Sequence, residues 1–177
     1  MGAEVDTTTF TREDRKRHRE KVRKGLDVLA RMLTESRFDF ERPMTGLEIE
    51  LNLIDSDGEP AMRNAEVLAA IADPSFQTEL GRFNIEINVA PRRLASGGFS
   101  SFEQAVRKSL NEADPRAQAV GCQLVIVGIL PTLMPHHVTL DSVSENPRYS
   151  LLDQQIFAAR GEDLEIVIDG VERLQMV

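Results

Sequence analysis

The stretch TGLEIELNLID, Thr45 to Asp55, alternates apolar and polar residues along most of its length. In an extended strand successive side chains point to opposite sides, so Leu47, Ile49, Leu51 and Leu53 share one face. Glu48, Glu50 and Asn52 take the other. Two carboxylates about 7 Å apart on one strand face repel each other. A solvated strand tolerates that repulsion; a cation site exploits it.

A second segment bears on the choice. In ELGRFNIEINVAPRRL, Glu79 to Leu94, residues Phe83, Ile85, Ile87 and Val89 alternate onto one face and Asn84, Glu86 and Asn88 onto the other. Pro91 is expected to close this strand, because it has no N–H for the ladder. If the two strands share a sheet, their apolar faces meet the same helices and their polar faces coincide. Glu48, Glu50 and Glu86 then lie on one surface, with strand neighbours about 4.8 Å apart. Without a cation this crowding raises carboxyl pKa values and costs stability. With Mg²⁺ or Mn²⁺ it becomes a hard-oxygen site with positions open to water and phosphate.

Around these strands the pattern mixes helix and strand. Thr9 or Thr11 starts a helix with Glu13 and Asp14 in its first turn and a late apolar stripe of Val22, Leu26, Leu29 and Leu33. Its basic run from Arg12 to Lys24 reads as a solvated face of mixed charge. The first eight residues are expected to be disordered. SDGEP, Ser56 to Pro60, is a turn, and a short helix over Asn64 to Ala72 should stop at Asp73-Pro74. Gly97-Gly98 reads as loop. Ser100 to Glu103 reads as a capping box for a helix to Ala119, which Pro115 should kink or break. CQLVIVG predicts a buried strand, Pro131 to Pro147 a loop, and Arg148-Tyr149 the start of a helix to Gly161. DLEIVIDG predicts a last strand from Leu164 to Asp169. Interspersed elements with strands polar on one face imply an α+β fold, a mainly antiparallel sheet with helices packed on one face.

Composition narrows the function. Residues 1–40 hold 10 Lys/Arg against 8 Asp/Glu, leaving 11 against 21 for the rest of a 177-residue chain of net charge −8. An acidic body without tryptophan and with 5% aromatics argues against nucleic acid as a partner. A phosphorylated ligand would need a divalent cation to approach it. The single cysteine, Cys122, excludes an internal disulfide and reads as a small buried hydrophobe. No apolar run approaches the roughly 18 to 20 residues of a membrane span, and no signal-peptide pattern opens the chain, so no membrane partner and a cytoplasmic location are expected.

GLEIELNLID followed by TELGRFNIEINVAP resembles the N-terminal region of glutamate–cysteine ligases, in their bacterial carboxylate–amine ligase branch. Gly46, Glu48 and Glu50 match that family's Gly-x-Glu-x-Glu strand, and Glu79 and Glu86 match the later glutamate pair at the same spacing. GILPTLMP, Gly128 to Pro135, resembles the loop after a buried strand, and Arg148-Tyr149 the Arg-Tyr pair that opens a helix. The likeness runs from Gly46 to Gly161. It implies a fold shared with glutamine synthetase, in which carboxylates on a curved antiparallel sheet hold Mg²⁺ (or Mn²⁺). It implies ATP as co-substrate and glutamate with an amine such as cysteine as partners, in chemistry of the glutathione-biosynthesis kind. ATP phosphorylates a carboxylate, and the amine attacks the acyl phosphate. By this resemblance Glu48, Glu50, Glu79 and Glu86 are candidate metal ligands, and Arg148 is a candidate grip on a carboxylate or phosphate.

The same resemblance divides the chain into a tail and basic helix, 1–40, and the N-terminal part of a ligase catalytic domain, 41–177. The family's later His-x-His strand is not found before Val177, so an incomplete, inactive fragment is expected. His136-His137 read as exposed loop residues rather than ligands. Two other classes stay open: a non-catalytic module that binds a cation or amino acid, and a structural or interaction fragment with a merely solvated polar face. Exposed sheet edges would favour a homo-oligomer.

Overall fold

The computed structural model of the protein describes residues 9–93, 98–160, 166–171 and 173–176. The expectations for residues 1–8, Gly97 and Leu164 lie outside the described residues. The chain divides into two compact units, Arg17–Glu145 and Met1–Lys16 with Asn146–Val177.

Helix α1 (Arg12–Thr34) starts on a reciprocal cap. The Asp14 N–H donates to Thr11 Oγ1 at 3.1 Å, and the Thr11 N–H donates to Asp14 Oδ2 at 3.0 Å. None of its residues is buried, and Val22, Leu26, Leu29 and Leu33 are all exposed. The amphipathic pattern is present without a surface laid over it.

Strand β1 (Met44–Ile54) runs into a turn in which Asp55 Oδ1 accepts the N–H groups of Asp57 and Glu59 at 2.9 and 3.0 Å. Gly58 takes φ +83° there, a conformation that suits a residue without a Cβ. Helix α2 (Asn64–Ile71) ends as Ala72 turns left-handed at φ 52°, ahead of Asp73-Pro74. Two strands follow, β2 (Phe76–Thr78) and β3 (Asn84–Arg93). The short β2 carries too few residues to show an alternation, and it is not foreseen from the sequence.

Strand β3 continues past Pro91, contrary to expectation. The register with β1 shifts between Thr45 and Leu47, and this irregularity absorbs the missing N–H. A Cβ on Gly46 would lie 3.4 Å from Pro91 Cγ, which places the glycine and the proline ring side by side at this irregularity. Phe83 also departs from the alternation. It precedes the strand, where the Asn84 N–H turns back to the Gly81 carbonyl at 2.9 Å, and its ring packs beside Gly81 rather than in the main core.

Helix α3 (Gly98–Ala119) begins two residues before the expected cap. The Ser101 hydroxyl donates to the Gly98 carbonyl, and Glu103 accepts from Arg107, so the proposed capping box does not form. Gly98 is helical rather than loop, and the helix continues through Pro115 without a break. The CQLVIVG segment yields only β4 (Gln123–Val125), with Ile126 and Val127 exposed. Among the described residues it is an edge strand paired to β1 alone, so the long buried strand is corrected to a short, half-buried one. Two single 3₁₀ turns, Pro135–His137 and Leu140–Ser142, interrupt the following loop.

The sheet order is β2-β3-β1-β4, with every neighbouring pair antiparallel. Ile49 faces Ile87 and Leu51 faces Ile85. Their apolar side packs with Val67 and Ile71 of α2, Ala113 and Ala117 of α3, and Cys122. Helices thus cover one face, as the alternation implies. Leu47 is more exposed, near the uncovered start of β1.

In the other unit, helix α4 (Pro147–Arg160) is followed by the antiparallel pair β5 (Ile166–Asp169) and β6 (Arg173–Met176). The segment expected to be the last strand is therefore the first arm of a hairpin. Among the described residues no helix is long and apolar enough to cross a membrane.

Ile85 has 0% exposure and sits between both sheet neighbours and the helices. Ile85→Ala should cost about 2 to 5 kcal/mol, whereas Leu26→Ser on the exposed stripe should stay within about 0.5 kcal/mol. Urea unfolding of both variants checks this, and an Ile85→Ala chain as stable as wild type would contradict the core described.

Candidate functional site

The face of the sheet turned away from α2 and α3 carries the polar residues of both long strands. Glu50 lies directly opposite Glu86, Glu48 opposite Asn88, and Asn52 opposite Asn84. Gln77 of β2 flanks Glu86 on its other side. Directly paired residues share a face, so Glu48, Glu50 and Glu86 form one row, as the matched alternation predicts. The floor beside them is fixed by amides. Asn84 Nδ2 donates to Asn52 Oδ1 at 2.8 Å, and Asn52 Nδ2 donates to the Val127 carbonyl at 2.9 Å. Glu86 is buried to 6% exposure and accepts from Asn88 Nδ2 at 2.9 Å. Glu48 and Glu50 are exposed.

Glu79 follows β2 directly and is half-buried. Burial lifts its carboxyl above the usual carboxylate range, the Leu80 N–H pulls it back, and the charges of Glu86 and Glu50 raise it further. All four glutamates singled out in the sequence therefore fall within one unit, and three of them interact electrostatically. Among the described residues, however, no group of three or more His, Cys, Asp or Glu side chains is arranged to hold a metal ion. The row provides oxygen donors of the right class but does not close around a point.

Glu50 and Glu79 also line a cleft of about 400 Å³, with Leu80, Gly81, Phe83 and Asn84 on the same side. The rest of the lining is the loop of His137, Val138, Thr139, Ser142 and Val143. Backbone pairing holds that loop in place. Gly81 bridges Val143, the Arg82 N–H donates to the Ser142 carbonyl at 2.7 Å, and the Ser144 N–H donates to the Leu80 carbonyl at 2.8 Å. Behind it, the buried Asn64 donates from Nδ2 to Ser144 Oγ at 2.7 Å and to the Gly81 and Asn84 carbonyls at 3.3 Å. Ser144 Oγ in turn donates to the Glu79 carbonyl. The lining thus combines carboxylates with imidazole and hydroxyl groups.

Arg148 belongs to the other unit, in the first turn of α4. Its N–H donates to Asn146 Oδ1 at 2.9 Å, Nη2 donates to the Tyr149 hydroxyl at 3.3 Å, and the guanidinium lies 5.1 Å from the Tyr149 ring centroid. These contacts orient the fork. Cys122 is buried, and burial pushes its thiol up, which suits a core residue and not a nucleophile.

The sequence reading takes His137 as an exposed loop residue, but it is half-buried in the 3₁₀ turn Pro135–His137; Thr139 and Ser142 are not singled out at all. Their loop shows no periodicity, and it is contacts across more than fifty residues of chain, Gly81 with Val143 and Arg82 with Ser142 among them, that bring it to the glutamates. The adjacency of His136 and His137 is a poor guide: the two rings lie 3.9 Å apart between centroids, tilted by 57°, and of the pair His137 lines the cleft.

An antiparallel sheet with helices on one side thus gathers carboxylates on its other face, beside a cleft that mixes them with apolar side chains. The family model for glutamate–cysteine ligase family 2 matches residues 44–163, and the chain belongs to that family. No curated protein and no solved structure gives a match.

Because Glu79 holds its proton more tightly when folded, its contribution to stability is present below the unfolded carboxyl value and is lost as pH rises through the folded one. Glu79→Gln should therefore match wild type in acid and melt higher than wild type at neutral pH in metal-free buffer. Thermal melts across that range test it, and a variant less stable at neutral pH would refute the crowding of Glu79 by Glu50 and Glu86.

Proposed function

We propose that the protein is an ATP-dependent carboxylate–amine ligase of glutamate–cysteine ligase type. The observation that carries this reading is the direct pairing of Glu50 with Glu86 beside Glu79, in a chain of this family. Like charges in register are destabilising. A row of them on one sheet face has a purpose if it binds positive charge.

The residues fit Mg²⁺ or Mn²⁺ by donor chemistry. Glu48, Glu50, Glu79 and Glu86 offer only oxygen, the class that hard divalent cations take. Two of them are exposed, so closure on an ion needs side-chain rotation and no change of strand register. When bound, the cation neutralises phosphate charge and helps hold phosphoryl oxygens in line.

In the reaction, an oxygen of the glutamate carboxylate attacks the γ-phosphorus of ATP, and ADP departs with the bond electrons. The amine nitrogen of a co-substrate such as cysteine then attacks the acyl carbon, loses its proton and expels phosphate. The protein's part is chiefly orientation and electrostatics, because phosphoryl transfer needs no protein nucleophile. The cleft beside Glu50 and Glu79 receives the reacting groups and limits water around them. Arg148, oriented by Tyr149, grips a carboxylate or phosphate through its fork.

One observation favours a second reading, a non-catalytic module that binds a cation or amino acid. The carboxylates as placed do not converge on an ion. Release of phosphate that requires ATP, glutamate and an amine together separates the ligase from that module.

Cation affinity near millimolar is expected for a site that must close on its ion. A tenfold excess of Mn²⁺ over Kd then stabilises the fold by about 1.4 kcal/mol, a rise in Tm of roughly 3 to 6 °C at this chain length. Glu50→Gln combined with Glu86→Gln should abolish the rise. An unchanged Tm in wild type, or an equal rise in the double variant, counts against the carboxylate site.

A further inference from the structure

His137 lines the same cleft as Glu50 and Glu79. Its Nδ1 accepts the Met134 backbone N–H at 3.1 Å, across the 3₁₀ turn that Pro135 opens. A neutral imidazole has one donor and one acceptor nitrogen. With Nδ1 accepting, the proton of the neutral ring resides on Nε2. A nitrogen that carries a proton cannot ligate a metal, but it can donate a hydrogen bond. Thr139 and Ser142, whose hydroxyls lie 3.3 Å apart, line the cleft too. The Nε2–H of a neutral His137 is therefore a donor in a cleft whose two carboxylates, when ionised, can only accept.

We propose that His137 is a substrate-binding residue whose Nε2–H donates to an anionic oxygen of the ligand held in this cleft, either an amino-acid carboxylate or the transferred phosphoryl group. The backbone of Met134 sets the tautomer, so the donor is in place before the ligand arrives. This division of labour suits a ligand that meets positive charge at the glutamates and presents negative charge to the loop. The role rests on the reading of the cleft as the ligase site, and its test separates the two.

Three measurements on the full chain test it. A long-range ¹H–¹⁵N spectrum should show neutral His137 protonated on Nε2. Titrations with inorganic phosphate and with glutamate, each in Mg²⁺, should show His137→Ala weakening at least one of them by roughly ten- to a hundredfold. His137→Gln, which keeps a donor near the Nε2 position, should recover most of the loss. Mn²⁺ affinity, followed by electron paramagnetic resonance, should be the same in wild type and His137→Ala. A loss confined to phosphate assigns the phosphoryl group, and one confined to glutamate assigns the carboxylate. A proton on Nδ1, anion affinities in His137→Ala equal to wild type, no anion binding by wild type, or a fall in Mn²⁺ affinity in His137→Ala would each overturn the proposal. Wild type that binds an anion through His137 but not Mn²⁺ would leave this donor standing and remove the carboxylate cation site.

Discussion

The register between β1 and β3 is the constraint on which the rest depends. Slipping it by one residue would put Leu51 and Leu53 on the polar face and Glu50 against the helices. Two things oppose the slip. On one face Leu51 opposite Ile85 and Ile49 opposite Ile87 form the centre of the apolar core. On the other, Asn84 reaches Asn52 at 2.8 Å, and Asn52 continues to the Val127 carbonyl. Because the amides are shielded, a wrong register would leave them short of partners, a cost of about 1 to 3 kcal/mol per orphaned group. Packing and polar pairing select the same alignment, and that alignment sets Glu50 against Glu86.

The long strands and the face they share could be read from the sequence because strand geometry is local. A period of two fixes the side on which each residue lies, whatever the sheet's partners. The glutamate row followed from that rule plus one assumption, that the two strands share a sheet. Pro91 misled because its missing donor is harmless beside the irregularity at Gly46, and nothing in the local sequence shows that irregularity. Ser100 and Glu103 formed a plausible cap, but the helix had already begun at Gly98. The run CQLVIVG looked buried because it is apolar; burial, however, depends on neighbours, and among the described residues β4 has one strand beside it.

The cleft was least legible, for a related reason. Its loop wall is placed by contacts that span long stretches of chain, Gly81 with Val143 and Asn64 with Ser144. Asn64 is the joint between them. It sits at the first turn of α2, within the helical layer's own segment, and one amide nitrogen reaches the loop hydroxyl and two carbonyls beside β3. The geometry of the cleft is therefore coupled to the seating of α2, so a change in the helical layer can reach the site without touching a glutamate.

Helix α1 bears on how the chain responds to temperature. Its apolar stripe is already in contact with water in the folded state. Unfolding exposes little new hydrocarbon there, while it still releases the helix backbone to solvent. Newly hydrated apolar surface is what raises the heat capacity of unfolding, and polar surface lowers it. This helix should thus add less to the heat-capacity change than its length suggests, which flattens the stability curve and shifts less of the chain's cold sensitivity onto α1 than onto the sheet.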